Sequence, residues 1–275
     1  MLTPDTLAAS VARLAKTLPP FPTVVMQFLD MARDEDLSFD VLIRLARNDP
    51  VILSGILSSA NRLRHINAQP DIHDPFIAAS LIGLNQVRRI VVTAALNKFA
   101  TADKGARFLL DHSRAVAIVA QELAALCGVS PEKAYVAGIL HDIGQLCFHI
   151  LDPLAFQNVY RQSATDGKLI EREVAVFGVD HTQIGSALAE HWELPEDFVS
   201  AILTHHDDTI VTSKLQAVVN LAESLSRALD IPSSPKNRLT KLNGPAVEAL
   251  GITWNSEEIL DCFGRCRARF RLATG

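Results

Sequence analysis

The run Ala137–Leu146, AGILHDIGQL, restricts the folds open to this chain more than any other stretch. His141 and Asp142 stand side by side among apolar residues with helical spacing, Ile139, Ile143 and Leu146. Burying two adjacent ionisable groups is costly unless other polar groups meet them. Neighbours on a helix point about 100° apart, so both can still reach one ion lying between their directions. An imidazole nitrogen with a carboxylate oxygen suits a divalent transition metal. A fold that buries this run must therefore bring further ligands or partners to it.

Candidates exist on both sides. The periodicity predicts a helix from Ala106 to about Leu126, with Leu109, His112, Val116, Val119 and Leu123 along one stripe, so His112 faces the core. Alone, a histidine on an apolar face reads as a hydrogen-bonded core residue; the other candidates turn it into a ligand candidate. Asp180 is placed to cap a helix starting at His181, with Gln183 completing the capping pair, and His181 shares a face with Ile184 and Leu188. Leu194-Pro195 opens a helix that ends at Thr204-His205-His206-Asp207. Two imidazoles at a helix C-terminus sit where the backbone dipole favours positive charge, carried by a metal or by protonated histidine; a plain capping pair is the alternative. His149 and His191 read as structural or surface residues.

The remainder reads as helix. Period-two alternation is absent, and no Asn-Gly or Asp-Gly turn joins strand-like runs, so the expected class is all-α. Helices are predicted over 5–16, stopped by Pro19-Pro20, over 24–33, and from Ser38. Asp49-Pro50 and Asp74-Pro75 are start signals, with Asp as N-cap and Pro at the first helical position. The first of these opens an apolar helix through Ala60, expected at the centre of an N-terminal core; the second ends near Gly83, and Asn85 starts a helix to about Phe99. Ser130-Pro131 opens the helix expected to carry His141 and Asp142. Helices are also predicted over 152–165, closed by the Asp166-Gly167 turn, and over 212–229, with two short ones in 245–275. The segment TADKG, 101–105, reads as a break. The expected organisation is a multi-helix bundle in three parts: N-terminal helices 1–102, pocket helices 103–230 and a C-terminal extension 231–275.

Composition narrows the partners. A net charge of −5 gives no electrostatic footprint for nucleic acid or anionic membrane. Arg62, Arg64, Arg88 and Arg89 would be the phosphate contacts of a helix-turn-helix reader, but no basic recognition helix accompanies them, and they read as solvated helix ends. Arg265, Arg267, Arg269 and Arg271 are spread around their helix and read the same way. No wholly apolar run reaches ~18 residues, so no membrane span is expected. The N-terminal MLTPDTLAAS lacks a charged region followed by an apolar one, so no secretory signal is expected. Cys127, Cys147, Cys262 and Cys266 form no disulfide framework, and a reducing cytoplasm is the expected setting.

The order of a His, a His-Asp pair and later His residues resembles the HD superfamily of metal-dependent phosphohydrolases. The phrases Leu18-Pro-Pro-Phe-Pro22, Ala46-Arg-Asn-Asp-Pro50, Ile56-Leu-Ser-Ser-Ala-Asn61 and Ala78-Ala-Ser-Leu-Ile-Gly-Leu84 are similar to its HDOD subgroup, the HD-related output domains of bacterial signalling proteins. The resemblance implies an HD-like helical fold with protein partners in signalling. It also implies one or two divalent ions (Fe, Mn, Zn or Ni), held by His112, His141 and Asp142, with His181, His205 and His206 as further ligands. Asp142 is the catalytic candidate if the chain is active, with a nucleotide or other phosphoester as ligand. Departures bear on activity. The Asp that usually closes the HD motif corresponds to Asn220, the Lys of the HD-GYP branch to Gln145, and a Glu one turn before the first His to Phe108. No Gly-Tyr-Pro loop follows His206, which argues against hydrolysis of cyclic-di-GMP in the HD-GYP manner. Two expectations follow: a non-catalytic regulatory module that keeps a metal or anion pocket for structure or sensing, or a working phosphohydrolase.

Overall fold

A computed structural model describes residues 50–100, 107–234, 237 and 242–274. The expected helices before Pro50 and the break at 101–105 lie outside the described residues. Thirteen helices and no strand occur among the described residues, so the all-α expectation holds. Packing divides the chain into two compact units, one holding residues 50–99 and the other 107–274 among those described.

In the first unit, α1 (Pro50–Ile66), α2 (Pro75–Ile82) and α3 (Leu84–Ala100) share a core of Ile52, Ile56, Ala60, Ala78, Val87 and Val91. Asp74 caps α2 as its position before Pro75 predicts, its carboxylate accepting from Phe76 N at 2.7 Å and Ile77 N at 3.1 Å. Gly83 ends that helix at φ +77°, a conformation that favours glycine.

The second unit is built on α4 (Arg107–Cys127), whose Val116, Val119 and Leu123 are fully buried. Against it pack α5 (Pro131–Leu140), α11 (Lys214–Ala228) and α13 (Glu257–Thr274). The chain between them runs through α6 (Ile143–Leu151), α7 (Pro153–Asp166), α8 (Leu169–Phe177), α9 (His181–His191) and α10 (Glu196–Thr204). The short α12 (Gly244–Leu250) packs on α11. At Gly138 the crossing of α5 over α4 is so close that a Cβ would lie 2.7 Å from Ala117 Cα. Arg265 and Arg269 are not merely solvated: both grip Glu122 on α4, Arg265 Nε at 2.7 Å, and Arg269 also reaches Gln121. Among the described residues one stretch, Pro131–Leu151, has the length and hydropathy to cross a membrane, but 89% of that window is buried inside the protein.

The expected single helix around His141 is two helices. α5 stops at Leu140, and Asp142, at φ −102° and ψ 20°, stands at the start of α6. Asp142 occupies the N-cap of α6 yet makes no capping bond with its side chain. Its carboxylate is committed elsewhere.

Candidate metal centre

Four helix ends and two helix interiors deliver the centre. Gly144 lets the first turn of α6 lie against the backbone of His181, where a Cβ would fall 2.0 Å from His181 O. At the start of α9 the expected capping box is complete: Asp180 accepts from Thr182 N and Gln183 N, and Gln183 Oε1 accepts from Asp180 N at 3.3 Å. These two local devices set Asp142 Oδ1 3.4 Å from His181 Nε2. His205, just past the end of α10, brings its Nε2 to 3.4 Å from the same oxygen. Partly exposed His206 follows, with Nε2 3.1 Å from His181 Nε2.

The other carboxylate oxygen serves a second group. Asp142 Oδ2 lies 3.3 Å from His141 Nε2 and 3.6 Å from His112 Nε2. His112 in turn meets Glu223 Oε2 at 2.8 Å, and His141 Nε2 lies 3.5 Å from it. Two ligand sets result, Asp142 with His181, His205 and His206, and His112 with His141 and Glu223; within each, the donor atoms lie no more than 4.8 Å apart. Asp142 faces both. The six residues singled out from the sequence thus fall into two adjoining sets that meet at Asp142.

The imidazoles are oriented for this. His141 Nδ1 lies 2.7 Å from Gly138 O and His205 Nδ1 2.7 Å from Ile202 O. A carbonyl only accepts, so in each ring Nδ1 donates and Nε2 is the nitrogen turned to the centre, a ligand atom once it gives up any proton of its own. His141 Nε2, His205 Nε2 and Asp142 Oδ1 are buried without a hydrogen-bond partner among the described residues. Buried polar atoms seldom stay unanswered, and a cation coordinated between them would answer all three. The donor set, imidazole nitrogen with carboxylate oxygen, fits a divalent transition metal.

Electrostatics match. Burial opposes charge on Asp142, but His141, His205 and His181 outweigh it and hold the carboxyl well below the ordinary carboxylate range. Against the same penalty, His112, Arg227 and His141 hold Glu223 far down. Asp142 and Glu223 push His141 up to about 10 despite its burial. His205 and His206 go the other way, lowered by burial and by neighbouring imidazoles.

Two carboxylates of the centre were not singled out from the sequence. The closing carboxylate is Glu223, not the position of Asn220 one turn earlier; Asn220 Nδ2 instead donates to His205 O at 2.7 Å and Asp207 O at 3.3 Å, pinning the loop that carries the histidine pair. Glu173, on α8 and fully buried, accepts from His181 N at 2.9 Å and His181 Nδ1 at 2.6 Å. A usable signal was present for Glu223. Gln216, Asn220, Glu223 and Arg227 recur at helical spacing on α11 among apolar residues, and the first three are buried. Of the remaining candidates, Gln145 is buried, Phe108 packs its ring 4.7 Å from that of Tyr160, His149 is buried edge-on to Phe156, and His191 is exposed.

Comparison with known proteins places this geometry. The HDOD domain matches residues 18–208. An HDOD domain protein from Geobacter sulfurreducens superposes with a TM-score of 0.76 at 24% identity, covering 98% of this chain and 97% of that one. A candidate signal-transduction protein from Marinobacter aquaeolei gives 0.71 at 19% identity, covering 98% of this chain and 61% of that one. Both show the same fold. An uncharacterized protein of Treponema pallidum is 22% identical over 205 residues, 73% of this chain and 40% of its own length. Ribonuclease Y of Oleidesulfovibrio alaskensis is 30% identical over 120 residues, 44% of this chain and 18% of its own length. The chain therefore spans less than half the length of the last two relatives.

Proposed function

Because this chain belongs to the HDOD domain family, we propose that it is a signalling output module whose buried His/Asp/Glu centre holds one or two divalent transition-metal ions. His181, His205, His206 and Asp142 form one position, His112, His141 and Glu223 the other, with Asp142 facing both. One observation carries this reading: the two oxygens of a single buried carboxylate are each shared between two imidazoles from different elements. Salt bridging alone does not need five histidines around one carboxylate. Mn, Fe, Zn and Ni all suit this donor set. Protein partners in a signalling pathway are supported by the family and by the Marinobacter neighbour's description.

Glu223 favours a second reading, hydrolysis of a nucleotide or other phosphoester. Its carboxylate fills the place that Asn220 leaves chemically empty, so the ligand set is not depleted by that departure. A bound ion supplies an acidified water and offsets phosphoryl charge. Asp142 and Glu223 orient the imidazoles and set the charge of the pocket, while Gln145 offers no cation to a phosphate.

Elemental analysis of the purified chain decides the metal, with one or two equivalents expected. A metal-free protein with an intact fold overturns the whole proposal. A screen with added Mn²⁺ or Fe²⁺, using bis(p-nitrophenyl) phosphate, cyclic dinucleotides and short single-stranded RNA, separates the two readings. Turnover abolished by Asp142→Ala establishes the hydrolase; absence of turnover in the metal-loaded protein leaves the output module.

A further inference from the structure

Glu173 is a fully buried carboxylate on α8, outside both metal-ligand sets. Its Oε2 accepts two N–H groups of one residue, His181, from the backbone at 2.9 Å and from ring Nδ1 at 2.6 Å. That pairing fixes the ring rotation. It also fixes the tautomer, because a carboxylate only accepts: Nδ1 carries hydrogen, and Nε2 is turned to Asp142 and His206. His141 and His205 have only neutral backbone carbonyls in the corresponding role. A carboxylate behind an imidazole raises its basicity and strengthens it as a metal ligand. The other half of the centre is built the opposite way. Glu223 offers Oε2 to His112 and His141, while its Oε1 is held by Arg227 through Nε at 2.8 Å and through Nη2, which draws charge from the ligand. One half has an anion behind an imidazole; the other has a cation behind its carboxylate.

We propose that Glu173 is the positioning residue for His181, and that it makes the Asp142–His181–His205–His206 half the tighter of two metal positions, filled first. This rests on the metal-centre reading above.

The test is a Mn²⁺ titration of the chelator-stripped full chain, followed by electron paramagnetic resonance of the free ion. The wild type binds in two steps. Glu173→Gln, which keeps shape and loses charge, weakens the tight step about 10–100-fold and leaves the weaker step unchanged. Glu171→Gln, an exposed change on the same helix, alters neither step. His181→Ala with Glu173→Gln loses no more affinity than His181→Ala alone, as expected only if Glu173 acts through His181. An unaltered tight step in Glu173→Gln, two wild-type steps of equal affinity, or additive losses in the double variant would each overturn the proposal. Long-range ¹⁵N–¹H spectra of the wild type test it without a substitution: His181 carries its proton on Nδ1, and an Nε2–H form would overturn it. No Mn²⁺ uptake by the wild type would overturn the underlying metal-centre reading.

Discussion

Glu223 Oε2 stands 2.8 Å from His112 Nε2, although the two residues lie on different helices of the second unit and far apart in sequence. This pair closes the half of the centre that Asp142 reaches only at 3.3–3.6 Å. Replacing Glu223 with Gln removes the only carboxylate that half has of its own and leaves His112 facing an amide. The expected outcome is loss of one metal equivalent by elemental analysis, with the His181 half still loaded. Full metal content in Glu223→Gln would show that Glu223 is not a ligand.

Asn220→Asp tests the alternative place for that carboxylate. The amide donates to two carbonyls, His205 O and Asp207 O, and a carboxylate there can donate to neither. Leaving buried acceptors unanswered and facing them with negative charge costs about 2–3 kcal/mol. In a chain of this size that corresponds to a fall of about 5–10 °C in Tm. Calorimetry checks the fall, and metal content should not rise. A gain in bound metal would return Asn220 to the ligand shell.

The helical class and most helix starts were legible because their chemistry is local. Asp74 before Pro75, Ser130 before Pro131 and Asp180 with Gln183 act through bonds spanning two or three residues, and each cap forms. Of the six candidates, His112, His141, Asp142 and His181 were legible because each interrupts an apolar face, while His205 and His206 stood at a helix end and the family resemblance joined them to the set. The break at His141–Asp142 was not. No Gly or Pro stands at 141–142 itself, and the cause is tertiary: Gly144 packs on the His181 backbone and Asp142 turns its carboxylate inward rather than capping α6. Glu173 was not singled out because its partner His181 stands on the next helix, and Glu223 because its spacing with Gln216, Asn220 and Arg227 gains meaning only once α11 is known to be buried.

Gly144→Ala should fail where a glycine elsewhere can be filled. Its new Cβ meets His181 O at 2.0 Å, and the obstacle is backbone, which cannot rotate away. The expected loss is about 3 kcal/mol or more, the upper range for overpacking, with metal affinity falling as His181 is displaced. Gly264, inside α13 with nothing within 4 Å of its ideal Cβ, gives the contrast. Gly264→Ala should gain about 0.5–1 kcal/mol from helix propensity alone. Thermal melts of both variants measure the pair, and a Gly144→Ala protein as stable as the wild type would contradict the close approach.

Acid should loosen α13 through one carboxylate. Glu122 on α4 is nearly buried and held by Arg265 and Arg269 of α13. Burial raises its pKa, but the two guanidinium groups outweigh burial, and the folded value lies below the ordinary 4.5. A depressed carboxylate contributes stability that is fully present above its unfolded pKa and is lost as pH falls through the folded one. Glu122→Gln should therefore cost about 1–2 kcal/mol near neutral pH, a figure kept modest because both arginines are partly exposed to solvent. The difference between variant and wild type should shrink below pH 4.5 and vanish once Glu122 is protonated in the folded state. Added salt should reduce it at neutral pH, as screening reaches the exposed guanidinium groups. Urea melts of the two proteins across that range, in low and high salt, make the comparison; a gap between them that does not change with pH would show that the Glu122 side chain contributes through packing and not through its charge.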